Sequence, residues 1–281
     1  MSTVLPQNEL ERLLYEDCPY GDLTSLALGI DDRPAQMTFY ARGKPVISAV
    51  EEAAAIIRLC GATVERHVPS GTTLTAGDEI LSATGTAAAL HRSWRVAQVL
   101  IETWAGVATA AAAIVQAAHA VSPTIQVACT RKMFPGTRAL AVAAIRAGGA
   151  VPHRLGLSET ILVFPQHWAL LNDADARELR ARLHAHAPEQ KLTMEVANLA
   201  EALAAAEAGF DIVQLDKLDA AEVTKIVAEM QRQGHSTLVA AAGGINATTA
   251  ADFAGTGIDI IVTSAPFSAQ SADVRVTFEP T

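Results

Sequence analysis

Cysteine is scarce and scattered, with Cys18, Cys60 and Cys129 the only three in 281 residues. An odd number with no Cys-x-x-Cys pair excludes a disulfide framework and a zinc ribbon. The opening Met1-Ser-Thr-Val-Leu-Pro6 lacks a cationic stretch followed by a long apolar run. The apolar stretch Ala105–Ala118 is too short and too rich in alanine for a membrane span. A cytoplasmic protein with no membrane partner is therefore expected. Several catalytic signatures are also missing: a Gly-x-Gly-x-x-Gly after a strand, a Walker loop, a Gly-x-Ser-x-Gly elbow and a His-Glu-x-x-His pair. The net charge of −9 and a pI near 5.3 argue against nucleic acid as the main partner, because phosphate-backbone binding needs a broad basic face.

The most informative absence is local. Residues 103–158 contain no Asp or Glu, where an even spread of the chain's 30 acidic residues would place about six. The segment holds Arg131, Lys132, Arg138, Arg146, His153 and Arg154 instead. Positive charge concentrated on a negative protein, interleaved with small-residue turns, suits a pocket for a small, highly anionic ligand.

The length admits one large α/β domain or two smaller ones. Before residue 105 the sequence reads as short strands, Gln36–Ala41, Val46–Ser48, Thr63–Val68 and Glu79–Ala83. Turns such as Pro69-Ser-Gly71 separate them, and helices over Glu51–Leu59 and Leu90–Trp104 interrupt them. This is the pattern of a small α/β sandwich. After residue 105 strands and Ala-rich helices alternate. The expected strands are Ile125–Cys129, Thr160–Val163, Leu192–Val196, Ile212–Leu215, Thr237–Ala241 and Asp259–Val262. The expected helices are Gly136–Ala147, Asp173–Ala187, Asn198–Ala208 and Ala220–Gln233. Repeated β-α units imply a parallel sheet covered by helices, and six of them fit a closed or nearly closed barrel. Asp273–Phe278 alternates polar and apolar residues and is read as a strand returning to the first domain. The expected organisation is a sandwich over 1–105, a parallel α/β barrel over 106–268 and a returning strand within 269–281.

In such barrels the ligand sits at the C-terminal strand ends. The residues that follow or end the expected strands are Arg131 and Lys132, His167, Glu195, Asp216 with Lys217, Gly243 with Gly244, and Ser264. Arg, Lys and His supply donors to carboxylate or phosphate oxygens. Glu195 and Asp216 suit Mg²⁺ beside a polyphosphate. Gly243 and Gly244 let backbone N–H groups approach a phosphate, with a helix starting near Thr248 adding its dipole. Each has a plainer reading. Arg131 and Lys132 could be a solvated pair, Glu195 a helix-capping acid near Asn198, and Asp216 with Lys217 a surface ion pair.

Thr130-Arg-Lys132, Pro135-Gly136, Arg138, Gly148-Gly149 and His153-Arg-Leu-Gly-Leu157 resemble the signature of the quinolinate phosphoribosyltransferase family. Glu16-Asp17, Gly21-Asp22-x-Thr24, Arg95, Ala105-Gly-Val-Ala-Thr109, Glu195-Val196, Leu215-Asp216, Gly243-Gly244 and Thr256-Gly-Ile-Asp259 match in order, so the resemblance spans nearly the whole chain. It implies a sandwich plus barrel, and a Mg²⁺-dependent transfer of ribosyl 5-phosphate from phosphoribosyl pyrophosphate with release of pyrophosphate. It also implies a homodimer in which Arg95 reaches the partner's active site. Arg131, His153 and Arg154 would hold acceptor carboxylates, and Lys132 the phosphoribosyl or pyrophosphate oxygens. Glu195 and Asp216 would serve the ribose and Mg²⁺. Gly243, Gly244, Ser264 and Ala265 would hold the 5-phosphate.

The departures are equally specific. Phe164 stands where the family carries a substrate-contacting Lys, Pro152 where it has Asn before His-Arg, and Val99 where it has a helix Asn. Ala240–Ala242 replaces a polar run before the paired glycines, and Lys217 replaces Asn. This pattern resembles the branch of the family associated with molybdate-transport operons. Phe164 argues against quinolinate and for a less anionic acceptor. Two alternatives stand beside that reading: a true quinolinate enzyme in which Lys217 replaces the missing cation, and a non-catalytic anion-binding or regulatory protein on the same fold.

Overall fold

The computed structural model describes residues 3–171 and 175–281. These residues divide into two compact units. The first comprises 1–112, 133–149 and 266–281, and the second 113–132 and 150–265.

The first unit begins with helices α1 (Gln7–Asp17) and α2 (Leu23–Leu28), followed by β1 (Pro34–Arg42), α3 (Val50–Leu59), β2 (Thr63–Arg66) and β3 (Glu79–Thr86). Helix α4 (Ala87–His119) then runs unbroken for 33 residues, its last turns belonging to the second unit. After β4 (Gln126–Cys129), which lies in the second unit, α5 (Arg138–Ala147) returns to the first. The antiparallel sheet runs β11-β1-β3-β2, where β11 (Asp273–Pro280) is the expected returning strand. Met37 and Phe39 of β1, Ile80 and Leu81 of β3, Ile57 of α3 and Leu90 and Ile101 of α4 share one buried core. Met37 and Phe39 lie two apart in a strand and Leu90 and Ile101 eleven apart in a helix, which puts each pair on one face, whereas the adjacent Ile80 and Leu81 fall where the β1–β3 register shifts opposite Phe39 and Tyr40.

Two expectations need correction here. Val46–Ser48 is no strand; Val46 makes a single bridge to Thr73. The apolar run near Ala105 belongs to a helix long and apolar enough to cross a membrane by length and composition. That helix carries Arg92, Arg95 and Glu102 and buries Leu90, Ala97, Ile101 and Ala105 in the core of the first unit.

The second unit holds seven parallel strands. They are β4, β5 (Val151–Pro152), β6 (Ile161–Val163), β7 (Leu192–Val196), β8 (Ile212–Asp216), β9 (Leu238–Ala242) and β10 (Ile260–Thr263). Their order is β5-β4-β10-β9-β8-β7-β6, with every neighbouring pair parallel. No pairing joins β5 to β6 among the described residues, so the sheet is an open half-barrel. The two-residue β5 was not foreseen, because Val151–Pro152 is too short to show periodicity.

Helices α6 (Pro165–Trp168), α7 (Ala176–His186), α8 (Leu199–Ala208), α9 (Ala220–Arg232) and α10 (Ala250–Ala254) connect these strands. Several of their ends are capped. Asn198 accepts from the Glu201 N–H, Asp219 and Glu222 form a capping box, and Gly209 closes α8 at φ 85°. Asp173, where the helix before β7 was expected to start, lies outside the described residues; the described helix starts at Ala176, capped by Asp175. Helix α10 starts at Ala250 rather than near Thr248 and has five residues, because Asn246 folds Thr248 into a local turn through its side chain.

Candidate active site

The C-terminal ends of the seven strands surround a cavity of about 1080 Å³, lined entirely by residues of the second unit. Parallel pairing explains how distant segments meet there. Cys129 of β4 is in register with Pro152 of β5, and the His153 N–H donates to the Cys129 carbonyl at 2.8 Å. Arg131 and Lys132 therefore emerge beside His153 and Arg154. Thr263 of β10 pairs with Cys129, which places Ser264 and Ala265 next along the rim. Gly243 and Gly244 follow β9, Asp216 and Lys217 end β8, Glu195 lies one residue from the end of β7, and Phe164 follows β6. Every expected strand-end residue except His167 lines this cavity. His167 instead turns back so that its Nδ1 accepts from the Phe164 N–H at 2.9 Å, capping α6. Arg95, Arg138 and Arg146 belong to the first unit. The acid-free stretch thus supplies cations to both units, and four of its basic residues line the cavity.

Arg154 is 8% exposed. It makes no hydrogen bond or ion pair among the described residues, and its one recorded side-chain partner is the Phe164 ring, 5.6 Å from the guanidinium carbon. Burial, then the neighbouring Arg131, lowers its proton affinity, yet a guanidinium stays charged at any physiological pH. A buried cation without a counter-ion is costly, so the cavity favours an anion at this point. His153 differs. Burial, then Arg154, pushes its imidazole below the usual histidine range, so at neutral pH it offers hydrogen bonds rather than charge.

The acidic side of the cavity is equally organised. Glu195 and Gln214 are register partners on β7 and β8, and the Gln214 Nε2 donates to the Glu195 Oε2 at 2.9 Å. Burial and the nearby Asp216 raise the Glu195 carboxyl above the usual glutamate range; Gln214, Lys217 and Lys132 act the other way. Glu195 is not a helix cap, since Asn198 and Glu201 fill that role. Asp216 meets the Lys217 Nζ at 3.1 Å. Lys217 sits in the left-handed region at φ 58°, held there by its N–H donating to the Ala242 carbonyl at 2.8 Å. Gly243, at φ 100°, lies so close that a Cβ would come within 2.8 Å of the Lys217 backbone nitrogen. This contact requires glycine at position 243.

A carboxylate whose ionisation is opposed by a neighbouring carboxylate, as Asp216 opposes that of Glu195, suits a divalent cation nearby. The described residues contain no cluster of three or more metal-ligating side chains. Such an ion would need its remaining oxygens from a ligand and water. Gln214, Gln166 and Asn246 also line the cavity and were not singled out beforehand. Gln214 left a signal, a polar side chain inside the apolar Ile212–Leu215 run. A smaller hollow of about 530 Å³ at the opposite strand ends, lined in part by Lys191, Asp211 and His235, contains none of these groups.

Comparison with known proteins agrees with this geometry. The N-terminal domain of quinolinate phosphoribosyl transferase matches residues 22–104, and the C-terminal domain of the same family matches 107–277. The chain is 45% identical over 251 residues to the ModD protein of Rhodobacter capsulatus, covering 88% of this chain and 95% of that one. It is 38% identical over 273 residues to the ModD of Pasteurella multocida, covering 97% of each. The solved structure of NadC from Streptococcus pyogenes superposes with a TM-score of 0.90 at 27% identity over the full length of both chains. With cations, carboxylates and paired glycines at the strand ends where the family motifs fall, the chain belongs to the quinolinate phosphoribosyltransferase family of phosphoribosyl pyrophosphate-using enzymes, in its ModD branch.

Proposed function

We propose that the strand-end cavity binds phosphoribosyl pyrophosphate with Mg²⁺ and transfers its ribosyl 5-phosphate to a small, flat acid carrying fewer carboxylates than quinolinate. The observation that carries this reading is Arg154, a buried and unpaired guanidinium faced by the Phe164 ring. One carboxylate satisfies the cation, and the ring offers an apolar wall to a flat body. A second carboxylate placed against Phe164 would lose its hydration without gaining a partner.

The remaining residues divide the work by charge. Arg131 and Lys132 hold anionic oxygens of the acceptor and the leaving pyrophosphate. Gly243 and Gly244 expose backbone N–H groups to the 5-phosphate, with Ser264 and Ala265 along the same rim. Glu195 and Asp216 would face the ribose and hold Mg²⁺, which would neutralise charge on the pyrophosphate. As the C1–O bond to pyrophosphate breaks, positive charge develops on the ribose beside the Glu195 carboxylate, and the acceptor nitrogen or oxygen closes on C1 from the Arg154 side. The acceleration is electrostatic and positional. Arg95 would enter from a second subunit of a homodimer.

The quinolinate alternative would require the Lys217 Nζ, which meets Asp216 at 3.1 Å, to turn to a ligand carboxylate instead. The test is pyrophosphate release from Mg²⁺ and phosphoribosyl pyrophosphate across a panel of aromatic mono- and dicarboxylic acids. Arg131→Ala should abolish release while the melting temperature is kept. Near-wild-type turnover in that variant, or quinolinate as the best acceptor, would overturn the proposal.

A further inference from the structure

Gln214 is 4% exposed and is the one polar side chain inside β8, between Val213 and Leu215. Its register partners are Glu195 on β7 and Ala240 on β9. Its Nε2 donates to Glu195, while its Oε1 is buried with no partner among the described residues. The amide can face only this way, since an ionised carboxylate accepts and does not donate. An orphaned amide oxygen of this kind leaves its desolvation uncompensated. Methionine or leucine would fill much the same space without that cost, so stability does not explain the residue.

The surroundings indicate what does. Glu195 is repelled by Asp216 and attracted by Lys132 and Lys217. On the far side of Gln214, Ala240 offers no side-chain donor or acceptor to divert the amide. We infer that Gln214 is a positioning residue, which holds the Glu195 carboxylate by Oε2 and so leaves Oε1 available to the ligand. Its role is exerted through Glu195 alone. The inference rests on the reading above, in which Glu195 serves the ribose and Mg²⁺.

The test is a double-mutant cycle on the affinity for Mg²⁺–phosphoribosyl pyrophosphate, read by calorimetry in the wild type, Gln214→Met, Glu195→Ala and the double variant. Gln214→Met should weaken binding about ten-fold and should melt no lower than the wild type. In the Glu195→Ala background the same change should alter affinity less than about two-fold. Gln214→Leu serves as a second apolar replacement if the methionine variant folds poorly. An equal loss in both backgrounds, or no loss in either, overturns the assignment of Gln214 while leaving the proposed function standing. A wild type that fails to bind Mg²⁺–phosphoribosyl pyrophosphate overturns both.

Discussion

The guanidinium carbon of Arg154 stands 5.6 Å from the centre of the Phe164 ring. The cation is buried and the ring is its one recorded side-chain partner. A cation–π contact at this distance offsets about 0.5–2 kcal/mol of desolvation, less than a full ion pair in the same place would. The pair therefore holds the arginine in position without neutralising it. Phe164 comes from the turn after β6 and Arg154 from the turn after β5, strands at opposite edges of the sheet.

Restoring a cation at this wall should change the acceptor. Phe164→Lys adds one charge-assisted hydrogen bond for a second carboxylate, worth roughly 1.5–3 kcal/mol. Formation of nicotinate mononucleotide from quinolinate should rise at least about ten-fold, and turnover of the preferred acceptor should fall. Product analysis after incubation with quinolinate and phosphoribosyl pyrophosphate checks both arms.

Arg154 should weaken the ligand-free protein. Arg154→Met keeps the length of the side chain and removes an unpaired buried charge. The melting temperature without ligand should stay level or rise, by about 2–4 °C for each kcal/mol gained in a protein of this size. Binding of acidic acceptors should be lost in the same variant. A fall in melting temperature would show that the Phe164 contact outweighs the burial of the charge.

Much of this site was legible in the sequence, because parallel β-α repeats bring every strand end to one rim. Once the strand after residue 124 and the strands ending near Glu195, Asp216 and Gly243 were recognised, their neighbours were fixed by topology. What was hidden depended on three-dimensional partners. His167 reads like its neighbours on the rim, yet its ring is consumed capping α6. Val151–Pro152 is too short to announce itself as a strand, although it sets Arg154 beside Arg131. Gln214 acquires meaning only from the register that sets it against Glu195. The unbroken course of α4 through residue 105 was hidden for another reason: helical periodicity continues where the composition changes.

Glu195 should make stability depend on pH in a definite direction. Its carboxyl is raised by burial and by Asp216, so the folded chain holds this proton more tightly than the unfolded chain. Its contribution is then fully favourable below the usual glutamate range and is lost as pH rises through the raised value. Glu195→Gln keeps an acceptor for Gln214 and removes the titration. Without Mg²⁺ or ligand, this variant should melt higher than the wild type at pH 7. The difference should close as the pH is lowered toward 4, as followed by thermal melts across that range.

The paired glycines should respond unequally to alanine. Gly243 and Gly244 both occupy the left-handed region, at φ 100° and 72°. A Cβ on Gly244 would meet nothing within 4 Å, whereas one on Gly243 would meet the backbone nitrogen, Cα and Cγ of Lys217 at 2.8–2.9 Å. Gly244→Ala therefore carries only backbone strain, on the order of 1 kcal/mol. Gly243→Ala carries that strain and must also displace Lys217, itself held in a left-handed conformation by Ala242. The Lys217 backbone leads directly from Asp216, so its displacement moves a carboxylate of the cavity. Gly243→Ala should cost about 2–4 kcal/mol and weaken Mg²⁺–phosphoribosyl pyrophosphate binding. Gly244→Ala should leave the melting temperature within a few degrees and affect binding only where its methyl group screens the phosphate. Denaturant melts and calorimetry on the two variants separate these effects, and equal losses in both would show that the Gly243–Lys217 contact does not set the turn.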